Sequence, residues 1–104
     1  MKKVEAYIKP NMLTTTTGAL HGVNGMFSMA VLKGKGFGKL PLHDLKSPYD
    51  FEPIVKLEII CQDQICKEIV DVLEKVSHTG LRGDGRIIVT TIEQDIRIVT
   101  WETK

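Results

Sequence analysis

A chain of 104 residues with 42% apolar residues, 26% charged residues and a net charge of +1 has the make-up of one globular domain with a modest core. That balance argues against disorder and membrane insertion, and with 6% aromatic residues and no basic excess it argues against a nucleic-acid partner. The first ten residues, MKKVEAYIKP, alternate apolar and polar positions instead of forming the continuous apolar stretch of a signal peptide, which predicts a cytoplasmic protein.

Val4, Ala6 and Ile8 alternate with Lys3, Glu5, Tyr7 and Lys9, a period of two that predicts a first strand with one covered face, stopped by Pro10. Over residues 11–23, Leu13, Leu20 and Val23 fall on one helical face. Thr14 to Thr17, Gly18 and Gly22 are poor helix formers, so packing must support a helix there. Gly25 opens MFSMAVLKGKGFG, an apolar run of strand length that ends in Gly34, Gly36 and Gly38 and predicts a second strand feeding a loop. No single period fits residues 39–53, and a loop of that length in so small a domain points to function or disorder. IVKLEIIC, residues 54–61, alternates again and predicts a third strand. Asp63 is a good N-cap for a second helix in which Ile65, Ile69, Val72, Leu73 and Val76 make an apolar stripe. RIIVTTIE and IRIVTWE, both β-branched, close the chain as one long strand and one short one. The order is β-α-β-β-α-β with a short extra C-terminal strand: an α+β, ferredoxin-like single domain spanning residues 1–104. Helices on one sheet face leave the other open, which a second subunit would cover.

HTGLRGDGRIIV, residues 78–89, sets three glycines, a carboxylate and two arginines directly before a strand. Glycines let backbone N–H groups converge on an anion, and guanidinium groups bind phosphate oxygens in a fork. The plainer alternative is that Gly80, Gly83 and Gly85 only turn the chain from helix to strand. A second cluster, KGKGFGK over residues 33–39, carries the same two readings, and neither cluster is a Walker motif or a dinucleotide fingerprint.

Taken together, MKKVEAYIKP, KGKGFG, VKLEI, and above all HTGLRGDGRIIV followed by IRIVTWE, resemble the PII family of signal-transduction proteins over residues 1–102. The resemblance implies a homotrimer that binds adenine nucleotide (ATP, ADP or AMP) as an effector in clefts between subunits, with magnesium left open. It implies a T-loop at about 35–53 that reaches a partner protein, a membrane transporter or a metabolic enzyme, a B-loop at about 79–86 and a C-terminal segment at 96–104. Carried over by position, Gly83, Asp84, Gly85 and Arg86 match the phosphate-binding turn, with arginine for the usual lysine. Arg97 matches an arginine that reaches phosphates from the neighbouring subunit; Ile60 and Ser28 match residues at the base; Gly34, Gly36, Phe37 and Gly38 lie at the T-loop root. Val99 stands where a second arginine is expected, and Trp101 where a glycine is. The T-loop glutamine that helps hold magnesium and 2-oxoglutarate has no counterpart, and the lysine that meets the 2-oxoglutarate carboxylate corresponds to Ile54. The expectation is a divergent regulatory member, not an enzyme, without the usual 2-oxoglutarate sensing.

The competing reading is a trimeric metal-binding protein like the related CutA group, using His43, Asp44 and the cysteines. Against it, no second histidine or cysteine stands at a ligand spacing from His43. Cys61 and Cys66, spaced C-x4-C, fit neither a zinc knuckle nor a redox pair and read as buried thiols. No Ser-His-Asp, Cys-His or paired-carboxylate arrangement follows from spacing, so no catalytic residues are assigned.

Overall fold

A computed structural model describes residues 1–25, 27–36, 51–77 and 85–98. These described residues form four strands and two α-helices: β1 (Lys2–Ile8), α1 (Leu13–Leu20), β2 (Phe27–Gly36), β3 (Glu52–Cys61), α2 (Asp63–Ser77) and β4 (Ile87–Thr91). The sheet order is β2-β3-β1-β4 with every neighbouring pair antiparallel. Each β-α-β unit therefore straddles another strand, which is the ferredoxin-like arrangement.

Alternation decides which face of the sheet is covered. Val4, Ala6 and Ile8 of β1 stand opposite Ile59, Leu57 and Val55 of β3, and all six are buried. Ile69 and Leu73 of α2, Leu20 of α1, Val23 and Cys61 join that core, and each large aliphatic side chain in it contributes roughly 1.5–3 kcal/mol by leaving water. The alternate positions of the paired stretch, Lys3, Glu5, Tyr7, Lys56, Glu58 and Ile60, are half-buried on the opposite, helix-free face.

Several boundaries differ from the sequence expectation, each for a local reason. The first helix is shorter than residues 11–23: a 3-10 turn at Pro10–Met12 precedes α1, and the helix closes where the Gly22 N–H donates to the Ala19 carbonyl. The chain then reverses at Gly25, whose φ of +124° suits glycine, and a Cβ there would meet Ile65 at 3.0 Å. Asp63 is the first residue of α2 instead of its cap, and its carboxylate lies 2.8 Å from the Met1 amino group. β2 runs through Gly34 and Gly36, and β3 starts at Glu52, so the two form a ribbon that continues past Val55, the last β3 residue paired with β1. Pro53 is tolerated because its second edge is open there. β4 ends at Thr91 because its partner runs out: the last bond is from Ile92 N–H to the Met1 carbonyl. Of the expected C-terminal strand, residues 96–98 belong to no strand, and residues 99–104 lie outside the described residues.

Thr16 is fully buried, and among the described residues its hydroxyl has no hydrogen-bond partner. Replacing the hydroxyl by a methyl removes an uncompensated desolvation penalty at nearly constant volume. Thr16→Val is expected to raise unfolding stability by about 1 kcal/mol, as measured by urea titration; a loss of stability would mean that the hydroxyl is satisfied in solution.

Candidate functional site

The described site residues fall at two ends of the strands. At one end, β4 is entered through Gly85 and Arg86. The Tyr7 N–H of β1 donates to the Arg86 carbonyl at 2.9 Å, and the Arg86 guanidinium stands over the Tyr7 ring, 5.5 Å from its centroid. Gly85 lies so close to β1 that a Cβ there would run into the Tyr7 carbonyl group. Glycine at this position is thus required by the packing of backbone on backbone, whatever ligand the turn also serves. Gly83 and Asp84 lie outside the described residues.

Gly34 and Gly36 sit at this same end but on the opposite sheet edge, in β2, where they pair with Ile54 and Glu52. With β3 and β1 between the two edges, the separation is about 14 Å at a strand spacing of about 4.8 Å. A Cβ on Gly36 would meet the Ile54 side chain at 3.1 Å, so the side chain that replaces the expected lysine lies directly over the ribbon root. Among the described residues, nothing lies within 4 Å of a Cβ placed on Gly34, so none of them demands a glycine there. Phe37 and Gly38 lie outside the described residues.

At the other end, Ser28 of β2 pairs with Ile60 of β3, Ile60 with Lys3 of β1, and Lys3 with Thr90 of β4, a single rung across the whole sheet. Beside it opens a shallow cleft of about 350 Å3 lined by Lys3, Ile60, Thr90, Thr91, Ile92, Gln94 and Asp95. Two residues beyond the cleft is Arg97, exposed and flanked by Ile96 and Ile98, which are 76% and 98% exposed. Apolar side chains this open beside a cleft mark a surface suited to contact with another chain. Of the cleft residues, the sequence alone points only to Ile60. Lys3 and Thr90 are reached by register, and Gln94 and Asp95 by a turn that carries no periodic signal.

Between the two ends lies a charge network on the helix-free face. Lys56 Nζ is 3.3 Å from Glu5 Oε2 and 3.2 Å from Glu58 Oε2, and Lys3 Nζ is 3.9 Å from Glu5 Oε1. The Glu58 carboxylate, and then Glu5, accept hydrogen bonds from Lys56 and hold its ammonium group above the ordinary lysine value. These charges are matched to one another. Ile60 and Lys56 are four residues apart on β3, so the rung of Ser28 and Ile60 lies roughly 13 Å along the strand from the rung of Lys56 and Tyr7, to which Arg86 is bonded.

The cysteines are free thiols: Cys61 is buried and Cys66 is half-buried, so only the first fully meets the expectation of a buried thiol. Burial, with Cys66 adding to it, pushes the Cys61 thiol up to about 11, so it is protonated at neutral pH and a poor metal ligand or nucleophile. Among the described residues no three His, Cys, Asp or Glu side chains are grouped to hold a metal ion; His43 and Asp44 lie outside those residues. Among the described residues, no helix is long and apolar enough to cross a membrane.

Fold and site together define a ferredoxin-like α+β domain with a projecting β-ribbon and a glycine-arginine entry to its last strand. The family model of Nitrogen regulatory protein P-II matches residues 1–102, and the chain belongs to that family. It is 38% identical over 107 aligned residues to the Nitrogen regulatory protein P-II of Azospirillum brasilense, an alignment covering 98% of this chain and 95% of the relative. It is 39% identical to that of Bradyrhizobium diazoefficiens, covering 99% and 96% respectively.

Proposed function

We propose that this chain is a cytoplasmic PII-type regulator, and not an enzyme, which assembles as a homotrimer and binds ATP, ADP or AMP in the clefts between its copies. One copy supplies the phosphate end, from Gly83, Asp84, Gly85 and Arg86 of the B-loop and from Gly34, Gly36, Phe37 and Gly38 at the T-loop root. Its neighbour supplies Ser28 and Ile60 to the base and Arg97 to the phosphates. Occupancy then shifts the T-loop, about residues 35–53, between states that differ in affinity for a partner transporter or enzyme.

The observation that supports this reading is the separation of the site residues into two groups at opposite ends of the sheet. A nucleotide joining them within one chain would lie across Glu5, Glu58 and Lys56, whose charges are already paired with one another. A nucleotide between two copies meets the arginine end of one and the cleft end of the other. The exposed Ile96 and Ile98 around Arg97 also favour burial against a neighbour.

Calorimetry on the assembled protein tests it. ATP, ADP and AMP are titrated separately, then ATP with magnesium and 2-oxoglutarate. Saturable binding of at least one nucleotide is expected, with no tightening by 2-oxoglutarate, because Ile54 and not a lysine covers the ribbon root. Absence of binding at millimolar nucleotide contradicts the reading. Binding of copper or zinc instead would favour the CutA-like alternative.

A further inference from the structure

We infer that Tyr7 is a positioning residue for the phosphate end of the site: its ring and backbone hold Arg86 where an anionic ligand meets it. This rests on the nucleotide reading above and adds to it a residue that belongs to no glycine turn.

Arg86 has a long, rotamer-rich side chain and is exposed, so an unrestrained guanidinium would lose considerable entropy on meeting a phosphate. Tyr7 restrains it twice. The Tyr7 N–H fixes the Arg86 backbone through the 2.9 Å bond to its carbonyl, one residue beyond the ladder in which Ala6 pairs with Ile87. The Tyr7 ring, presented on the helix-free face by the alternation of β1, then lies under the guanidinium at 5.5 Å. A ring face attracts a cation without using its N–H donors, so the guanidinium keeps them for phosphate oxygens. A carboxylate in the same place would occupy those donors and repel the ligand. Gly85 completes the arrangement, since its missing side chain is what allows the loop to come down onto the Tyr7 carbonyl.

The test compares Tyr7→Leu and Tyr7→Phe with wild type by calorimetry against ATP and against adenosine. Leucine keeps an apolar side chain on β1 and removes the ring; phenylalanine keeps the ring. Tyr7→Leu is expected to weaken ATP about three- to tenfold and adenosine far less, with Tyr7→Phe restoring ATP affinity. In an Arg86→Ala background, Tyr7→Leu is expected to have no further effect on ATP. A merely structural role for Tyr7 would weaken both ligands alike and would persist without Arg86. ATP binding by wild type with unchanged affinity in Tyr7→Leu overturns this inference and leaves the nucleotide reading standing. Absence of ATP binding by wild type overturns both.

Discussion

Gly85→Ala is expected to lower unfolding stability by roughly 3 kcal/mol, near the upper end of the range for overpacking. The added Cβ would run into the Tyr7 carbonyl oxygen and carbon and lie 3.2 Å from the Ile8 nitrogen, all backbone atoms that no rotamer change moves. β1 cannot yield, because it is paired on both sides, with β3 over seven residues and with β4 over five. The entry to β4 must therefore lift away, and the bond from Tyr7 N–H to the Arg86 carbonyl breaks with it. The variant should lose stability in urea unfolding and nucleotide affinity in calorimetry together. Gly34→Ala is the contrasting case: its Cβ meets no atom of the described residues within 4 Å, and stability is expected to change by no more than about 0.5 kcal/mol. Equal stability of Gly85→Ala and wild type would show that the loop does not approach β1 this closely.

The second large effect is expected on binding. Arg86→Ala should weaken ATP by about 1–3 kcal/mol, the range for loss of charge-assisted hydrogen bonds to an anion. Arg86 is exposed, so the loss to folding should be limited to its contact with Tyr7, about 0.5–1 kcal/mol. Binding and stability thus separate in this variant where they move together in Gly85→Ala. Calorimetry beside urea unfolding checks both halves, and an unchanged dissociation constant removes Arg86 from the site.

What was legible in the sequence follows the physics of each element. The alternation of β1 and β3 and the stripe of α2 are periodic signals, and they mark the covered faces whose Val4, Ala6, Ile8, Leu57, Ile59, Ile69 and Leu73 meet in one core. Boundaries set by a partner strand were not legible. β4 stops where β1 begins, and β2 continues through its glycines because β3 pairs with it there; neither fact is local to the residues concerned. Glycine carried two meanings that the sequence could not separate. Gly85 has a packing reason in the chain itself, Gly36 has one in Ile54, and Gly34 has none among the described residues. Tyr7 was legible as an outward-facing strand residue, but its place beneath Arg86 depends on register between the two ends of the chain. Gln94 and Asp95 lie in the cleft through a turn after β4 with no pattern to find them by.

The central claim, that one nucleotide is held by two copies of the chain, is tested most directly by mixed assembly. Arg86→Ala and Arg97→Ala variants, each weak in ATP binding alone, are denatured together in equal amounts, refolded and titrated with ATP. If the arginines come from different copies, random assembly restores on the order of a quarter of the clefts to wild-type affinity, because each such cleft draws one intact arginine from each variant. If both arginines serve a site within one chain, no cleft in the mixture contains both, and the titration matches that of the separate variants.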